Sequence, residues 1–257
     1  SKPQSGSFRY TLKDNPYSFR YAYIQSGNIR SGVLRILNYC EPIPMERLFM
    51  KGAQRNLIRN WIRHDNGMIL ISGPTGAGKT TTAYGLLGVL SDKKVYTLED
   101  PVEIPNRKIV QIQVNGEGCL SYAEGIRQLL RHDPDVIMIG EIRDEETAKM
   151  AVRCALTGHL VITTIHASSC RGAVSRMMDF GISRWDIEDV VTGITNQRLV
   201  RLSVRGLKSG IYEMVSNKDI RNILNNEPTY YPVLSQEMDY ALMKKWITKA
   251  ERMKHAV

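Results

Sequence analysis

The sequence predicts an α/β fold in which helices cover a parallel sheet, and three observations support this prediction. From Met68 onward, short apolar segments alternate with amphipathic ones, which is typical of strands joined by crossover helices. The chain has 257 residues, of which 42% are hydrophobic, so it can bury a substantial core. Its longest apolar segments, such as residues 136–140 and 160–165, are strand-sized and far shorter than the roughly 20 residues of a membrane helix. We therefore expect no integral membrane segment.

The first forty residues predict the end of a small β-containing domain. Phe19–Ile24 and Gly32–Leu37 are β-rich, and a polar, turn-like segment separates them. Residues 41–50, with Pro42 and Pro44, are predicted to be a linker, and residues 51–257 the main domain. The sequence does not begin with Met, so we expect a remnant of an N-terminal domain that is truncated here.

The main domain is predicted as an ordered series of helices and strands. A first helix is expected over Arg47–His64, and the alternating elements that follow are strand Met68–Ser72, helix Thr80–Leu90, strand Val95–Leu98, a hairpin arm at Val110–Val114, helix Tyr122–Arg131, strand Val136–Ile139, helix Asp144–Thr157 and strand Leu160–Ile165.

The C-terminal part is predicted to be mostly helical, with one strand at Gly210–Val215. Ser235–Ala256 places apolar residues along one stripe, which favours a docking helix over a membrane-binding one. The stripe consists of Met238, Leu242, Trp246, Ala250 and Met253.

Charge and cysteine content narrow the functional classes. The chain has 35 basic and 26 acidic residues, a net charge of +9, which permits a phosphate-rich ligand, nucleic acid or an anionic membrane face. The four cysteines form no CxxC pair, which favours reduced thiols in a cytosolic protein; they are Cys40, Cys119, Cys154 and Cys170.

A phosphate-binding motif follows the first strand of the main domain. The segment Gly73-Pro74-Thr75-Gly76-Ala77-Gly78-Lys79-Thr80, followed by Thr81, fits G-x-x-x-x-G-K-[ST] without mismatch. Glycines let backbone N–H groups turn toward phosphate oxygens, and the N-terminus of the next helix adds partial positive charge. Lys79 is expected to contact the β- and γ-phosphates, and the Thr80 hydroxyl is expected to bind Mg²⁺.

Three further segments place polar residues at predicted strand ends. TLEDPVE at 97–103 ends in Glu103, and DPDVIMIGEIRD at 133–144 carries Glu141, with Gly140 where many P-loop enzymes have Asp. GHLVITTIHAS at 158–168 has a histidine at each end of a strand, His159 and His166. One of them can sense a γ-phosphate, and His159 can equally be a packing residue.

The four motifs together resemble the Walker A, Asp box, Walker B and His box of the secretion ATPases, which power type II secretion, type IV pili and competence pseudopili. Asn196–Arg201 is similar to the family's AQRLVR segment, and Gly210–Met214 to its GIYE strand. The resemblance covers about residues 20–215. It implies a RecA-like P-loop NTPase core with ATP and Mg²⁺ as ligands, a small N-terminal β-containing domain remnant and a helical C-terminal region.

Departures from the family pattern indicate a subtype. Only Cys170 follows the His box, so the four-cysteine zinc motif of many type II secretion and pilus-extension enzymes is absent. The C-terminal motif of the retraction motors has only a faint counterpart at Asp219–Leu224. A short, basic, zinc-free member most resembles the competence pilus ATPases of Gram-positive bacteria.

The resemblance also implies roles for individual residues. Glu103 orients or deprotonates the attacking water, Glu141 holds Mg²⁺ through water, and His166 reads the γ-phosphate. Arg20 and Arg35 are candidate arginine fingers that reach a neighbouring subunit's nucleotide; the alternative is that both are ordinary strand-edge arginines.

The implied function is a mechanochemical ATPase that drives assembly of a competence pseudopilus, and hence DNA uptake. It would act as a hexameric ring with an inner-membrane platform protein, in the cytoplasm and peripheral to the inner face of the plasma membrane. The alternative is a nucleic-acid-dependent RecA-like motor, although no basic segment is interleaved with aromatic residues, so direct nucleic-acid binding is not expected. A nucleotide-gated scaffold with little turnover is a third class.

Overall fold

The computed structural model describes residues 4–12, 15–27, 29–38, 43–114, 120–204 and 206–255. These residues form two sheets. A three-stranded antiparallel sheet comprises β1 Gln4–Leu12, β2 Asn15–Ser26 and β3 Ile29–Asn38, in the order β1-β2-β3. The second sheet has seven strands and lies in the main domain.

The seven-stranded sheet has the order β10-β9-β4-β8-β7-β5-β6. Six strands pair in parallel, and β10 is antiparallel to β9 at one edge. The strands are β4 Gly67–Ser72, β5 Val95–Glu99, β6 Val110–Gln113, β7 Val136–Ile142, β8 Leu160–Ile165, β9 Val191–Arg201 and β10 Lys208–Ser216. The predicted α/β class is confirmed.

Helices cover both faces of this sheet. They are α1 Met45–Leu48, α2 Gly52–Ile62, α3 Lys79–Leu87, α4 Tyr122–Leu129, α5 Glu145–Leu156, α6 Cys170–Asp179, α7 Arg184–Val190, α8 Asn217–Leu224, α9 Leu234–Met243 and α10 Lys249–Lys254.

Local sequence sets the ends of α5. The Asp144 side chain accepts a hydrogen bond from the Thr147 N–H at 2.8 Å, and Gly158 follows the helix with a φ of +101°.

The sheet is buried because its central strands are mostly apolar, and the few polar side chains they carry, such as Thr97 and Glu99, are buried with them. Every residue of β4, β5 and β8 is buried. One large apolar cluster fills each face, and a third, smaller cluster packs α9 against β9 and β10 around Val200, Ile211 and Met238. Parallel strands covered on both faces require this continuous apolar pattern.

Several predicted elements need correction. The helix expected over Arg47–His64 is two helices, α1 and α2, because Phe49 leaves the helix and packs its ring against Tyr212, with centroids 4.4 Å apart. Residues 191–201, expected to be helical, form strand β9, consistent with their β-branched run of Val191, Thr192, Ile194 and Thr195.

Two further corrections concern β6 and the C-terminus. Val110–Val114 is not a hairpin arm, since β6 pairs in parallel with β5 at the sheet edge. The single docking helix is two helices, α9 and α10, and its predicted stripe is only partly packed: Met238 is buried, whereas Ala250 and Met253 are exposed.

The predicted domain boundaries stay a prediction. Pro42 and Cys40 lie outside the described residues, as does Cys119. Met45 and Phe49, within the predicted linker, are buried in the main core, and Cys154 and Cys170 are free, buried thiols.

Among the residues described, no helix combines the length and the apolar character that crossing a bilayer requires.

Candidate active site

The phosphate-binding motif forms the loop between β4 and α3, at the carboxyl edge of the parallel strands. Gly73, Gly76 and Gly78 have φ values of +145°, +77° and +86°, which residues other than glycine rarely adopt. A Cβ on Gly73 would lie 2.7 Å from the Gln197 carbonyl oxygen. The loop therefore needs glycine for both its backbone conformation and its close approach to β9.

Lys79, the first residue of α3, folds back over this loop. Its Nζ donates to the carbonyl oxygens of Gly73 at 2.9 Å and Pro74 at 3.1 Å. Burial lowers the pKa of Lys79, and the nearby carboxylates of Glu141 and Glu103 oppose that shift. The ammonium group thus lies at the centre of the phosphate cradle, opposite two carboxylates.

A cleft of about 580 Å³ opens beside the loop. Its lining brings together the sequence-predicted residues Glu103, Glu141, His166 and Arg35, and the loop residues Thr75, Gly76, Ala77, Gly78, Lys79, Thr80 and Thr81. Gly73 and Pro74 contact Lys79 through their carbonyl oxygens. Five segments that are distant in sequence therefore converge on one site.

Glu141 is the electrostatic centre of the acidic side of the cleft. Arg143 donates a hydrogen bond to Glu141 Oε1, and its Nη1 lies 3.8 Å from Asp100 Oδ2. His166 Nε2 lies 3.6 Å from Glu141 Oε2. Burial and the neighbouring Lys79 ammonium lower the pKa of His166, which favours a neutral imidazole there at neutral pH.

The structure explains why Gly140 precedes this glutamate. A Cβ at position 140 would lie 2.8 Å from the Tyr122 hydroxyl and 3.2 Å from the Leu98 carbonyl oxygen. A side chain at that position would therefore require the Tyr122 hydroxyl to move and β5 to give by a few tenths of an ångström. The Gly140 carbonyl instead accepts a hydrogen bond from Thr164 Oγ1 at 2.7 Å, which ties β7 to β8 beside the cleft.

Glu99 differs from the other carboxylates of the site because it is buried and accepts hydrogen bonds from two neighbouring hydroxyl groups. It accepts from the Tyr84 hydroxyl at 2.6 Å and from Thr97 Oγ1 at 2.7 Å, and burial raises its pKa. Tyr84 belongs to α3, the helix that the phosphate loop initiates. This network connects that helix to the segment that carries Glu103.

The two histidines of β8 have different environments. His159, at the start of the strand, shares its Nδ1 with the Cys154 carbonyl oxygen at 3.0 Å and the Thr157 hydroxyl at 3.2 Å. His166, beyond the other end, lines the cleft. The geometry therefore assigns a structural contact to His159 and leaves His166 as the cleft histidine.

Sequence reasoning missed two buried amides beneath the loop. Gln197 Nε2 donates to the Ala77 carbonyl oxygen at 2.7 Å, and its buried Oε1 has no hydrogen-bond partner among the residues that the structure describes. Asn196 Nδ2 donates to Ser72 Oγ at 2.8 Å and to the Ala167 carbonyl oxygen at 3.0 Å. The Asn-Gln-Arg segment was visible in the sequence, but its contacts depend on the pairing of β9 with β4, which only the fold reveals.

The candidate arginine fingers lie on neighbouring strands of the N-terminal sheet. Arg20 of β2 and Arg35 of β3 occupy one register position. The exposed Arg35 lines the cleft of its own chain. The side chain of Arg20 lies outside what the structure describes.

The donor set suits a nucleotide with Mg²⁺. The Thr80 hydroxyl and the Glu141 carboxylate are hard oxygen donors on one cleft, as Mg²⁺ prefers, and the loop is a cradle that a Cβ on Gly73 would obstruct. A phosphate cradle at the carboxyl edge of a parallel sheet, with carboxylates at the ends of adjacent strands, defines a P-loop ATPase with a RecA-like core.

Comparison with known proteins gives the family. The family described as Type II/IV secretion system protein matches residues 1–231, and the chain belongs to that family. The competence protein ComGA of Halalkalibacterium halodurans is 31% identical over 276 aligned residues, covering 100% of this chain and 79% of that protein. The predicted family is confirmed.

Two further relatives are longer than this chain. ComGA of Bacillus subtilis is 39% identical over 81% of this chain and 60% of its own length. The type II secretion system protein E of Pseudomonas aeruginosa is 40% identical over 78% of this chain, which spans 40% of that relative.

Solved structures share the fold. The pilus retraction motor PilT, solved with bound ADP, superposes with a TM-score of 0.80 at 27% identity, covering 98% of this chain and 77% of PilT. The Legionella pneumophila ATPase DotB gives a TM-score of 0.79 at 20% identity, covering 99% of this chain and 77% of that chain. The predicted P-loop ATPase core is therefore confirmed.

Proposed function

We propose that this chain is an ATP-hydrolysing motor that drives assembly of a competence pseudopilus, and hence DNA uptake. The observation that carries the proposal is the convergence of Lys79, Glu103, Glu141 and His166 on the cleft beside the phosphate loop. The 79% coverage of a competence protein supports the choice of competence among the systems in this family.

Each group has a role in the proposed hydrolysis. The loop amides and Lys79 hold the β- and γ-phosphates, and Lys79 neutralises charge that develops on the γ-phosphoryl oxygens. Glu103 orients the attacking water or accepts its proton. His166, kept neutral by burial and by Lys79, can donate or accept a hydrogen bond at the γ-phosphate. Arg35 adds positive charge from the N-terminal sheet.

Thr80 and Glu141 would hold Mg²⁺, Glu141 through water. The ion supplies charge neutralisation at the phosphates. When it is bound, the ion pairs of Glu141 with Arg143 and His166 are expected to rearrange, since the same carboxylate cannot serve all partners equally. Glu141 therefore links nucleotide occupancy to the loop that carries His166.

The motor is proposed to act as a hexameric homo-oligomer with an inner-membrane platform protein. Its proposed place is the cytoplasm, peripheral to the inner face of the plasma membrane. The N-terminal sheet carries Arg35, which lines the nucleotide cleft, so ATP binding and hydrolysis would move this sheet. In a ring, that motion would shift neighbouring subunits relative to one another.

ATP turnover of the purified chain tests the enzymatic part. Lys79→Ala should lower turnover at least about a thousandfold and abolish nucleotide binding, because it removes the cation from the cradle. Lys93→Ala is the matched control, since Lys93 pairs with the surface residue Asp65 at 3.1 Å and does not line the cleft. Unchanged nucleotide affinity in Lys79→Ala would contradict the proposed site.

Two measurements separate the motor classes. A secretion-type motor should keep its turnover when polynucleotide is added, whereas strong stimulation would favour a nucleic-acid-dependent motor. In cells, capture of the full-length protein should recover a polytopic platform protein. Loss of DNA uptake in a chromosomal Lys79→Ala strain, with normal protein levels, tests the competence assignment.

A further inference from the structure

Most of the net charge of the chain is concentrated in two short segments. Residues 201–208 and 241–255 contain eight basic residues and one acidic residue, which gives seven of the nine net positive charges of the whole sequence. The basic residues are Arg201, Arg205, Lys208, Lys244, Lys245, Lys249, Arg252 and Lys254. The remaining 234 residues are almost neutral, so one part of the molecule carries the basic character.

The fold brings these two segments together. The Ser203 N–H donates to the Trp246 carbonyl oxygen at 2.7 Å, and the Arg201 N–H donates to Glu251 Oε1 at 2.8 Å. A surface groove of about 430 Å³ runs between the end of the β9–β10 hairpin and α10. We call the described residues of 201–208 and 241–255 the basic corner.

The carboxylates near the basic corner are already occupied. Glu251 is buried and accepts the Arg201 N–H, and Lys254 Nζ lies 3.4 Å from its other oxygen. Asp239 pairs with Arg252 at 2.7 Å. Within the part of the chain that the structure describes, no carboxylate lies within ion-pair distance of the exposed lysines Lys208, Lys244, Lys245 and Lys249.

Exposed aliphatic side chains accompany these lysines. Val204 and Leu207, at the end of the hairpin, are 63% and 54% exposed, and Met243 and Met253, in α9 and α10, are 67% and 68% exposed. The aromatic rings of the corner point into the protein instead. Trp246 is partly buried against the third apolar cluster and contacts Tyr240 edge-on, with centroids 5.7 Å apart.

We propose that the basic corner binds the anionic headgroups of a lipid bilayer, with its exposed aliphatic side chains entering between the headgroups. Lysines around aliphatic residues are the composition of surfaces that bind anionic membranes. A protein interface would instead favour arginine and aromatic residues over lysine. A single-stranded nucleic-acid platform needs exposed aromatic faces, which the described residues of the corner do not offer.

The inference rests on the membrane location in the proposed function and deepens it by naming the contact surface. The corner also lies near the active site. Leu199 lines the nucleotide cleft, and β9 continues from there to Arg201. Lipid contact would therefore hold the end of the strand that also supports the phosphate loop through Gln197.

Flotation of the full-length chain with vesicles tests the proposal. The chain should bind phosphatidylcholine vesicles containing about 30% phosphatidylglycerol at about 0.1 M NaCl, and should not bind pure phosphatidylcholine. A triple variant, Lys208→Glu, Lys244→Glu and Lys249→Glu, should bind at least about a hundredfold more weakly, since each lysine near an anionic surface contributes about fivefold.

A matched variant controls for net charge. Lys108→Glu, Arg131→Glu and Lys218→Glu changes three exposed residues outside the corner by the same total charge and should alter binding less than about threefold. A second variant, Leu207→Ser with Met253→Ser, keeps the charge and should weaken binding to anionic vesicles about tenfold at both low and high salt.

The vesicle-binding results test the membrane contact independently of the proposed ATPase activity. Equal vesicle binding by the parent and the corner triple variant would overturn it, as would failure of the parent to bind anionic vesicles. It would also be overturned if the triple variant lost oligonucleotide binding while keeping vesicle binding, which would point to nucleic acid. ATP turnover of the triple variant without vesicles should stay within about twofold of the parent, and Lys79→Ala should bind vesicles normally.

Discussion

The main domain and the N-terminal sheet differ in how they use apolar residues. Every residue of β4 is buried between two layers of helices. In contrast, none of the described side chains of β1, β2 and β3 is buried, and Val33, Leu34 and Ile36 of β3 are all well exposed. The two regions therefore contain similar β-rich sequences in opposite environments.

The two regions have different roles: one holds the phosphate loop, and the other carries Arg35. The main domain holds the phosphate loop rigidly, because its strands and helices are fixed by continuous apolar packing. The described side chains of the N-terminal sheet gain little from burial, and Phe8 stacks on Phe19 with centroids 5.0 Å apart. A region with few buried contacts can move, and this one carries Arg35 to the edge of the cleft.

The first prediction tests the contrast directly with one substitution in two places. Leu70→Ala in β4 should lower the free energy of unfolding by about 2–5 kcal/mol, because it leaves a cavity in a fully buried strand. Leu34→Ala in β3 should change it by less than about 0.5 kcal/mol, since that side chain is exposed. Urea denaturation is followed by far-UV circular dichroism, which reports on both regions, and by tryptophan fluorescence, which reports on the main domain alone, because Trp61, Trp185 and Trp246 all lie there. Similar losses in both would mean that the sheet is buried against another surface in solution.

The second prediction concerns the chemistry that the rigid region supports. Glu103→Gln keeps the side-chain shape and removes the base, so turnover should fall at least about a hundredfold while ATP affinity stays near that of the parent. Glu145→Gln, at an exposed position of α5, is the control and should change neither. Near-normal turnover in Glu103→Gln would indicate that Glu141 orients or deprotonates the water instead, because Glu99 is already hydrogen-bonded to Tyr84 and Thr97.

The sequence was most informative where local pattern and chemistry coincide. The phosphate loop could be predicted residue by residue, because its glycines, lysine and flanking elements all serve one conformation. The apolar strands β4, β7 and β8 were also predictable, since fully buried parallel strands have continuous apolar runs. The same holds for α5, where both ends have strong capping signals.

Long-range pairing could not be predicted in this way. The strand β9 was missed because its polar residues, Asn196 and Gln197, look unsuitable for a central strand until β4 and the loop supply their partners. Gly140 departs from the aspartate that is common at this position, and the Tyr122 hydroxyl that crowds the position comes from another element. Contacts of this kind depend on tertiary structure and leave no local periodicity.

The third prediction links the two regions. Arg35→Ala should lower turnover at least about tenfold with nucleotide affinity nearly unchanged, because the guanidinium contributes charge at the cleft without forming the cradle. Arg30→Ala, an exposed arginine on the same strand that does not line the cleft, is the control.

Mixing variants then tests which chain supplies the arginine. Arg35 lines the cleft of its own chain, so chains with Arg35→Ala mixed with chains with Glu103→Gln should not recover activity, because each site lacks one of the two groups. Partial recovery, together with a rate per chain that rises with protein concentration, would instead show that the finger reaches a neighbouring subunit.

The last prediction concerns the support beneath the loop and has the smallest expected effect. Gln197→Leu removes the donor to the Ala77 carbonyl oxygen, so the loop should hold its phosphate-binding conformation less well and ADP affinity should fall about fivefold. Val200→Ala on the same strand is the control: it destabilises the strand by removing buried volume from the third apolar cluster, away from the loop, and leaves the hydrogen bond to Ala77 intact. Both variants should unfold more easily, whereas only Gln197→Leu should show a reduced stabilisation by saturating ADP in thermal unfolding. Equal ADP affinity in the two variants would mean that Gln197 contributes packing alone, and that the glycine backbone of the loop sets its conformation without help from β9.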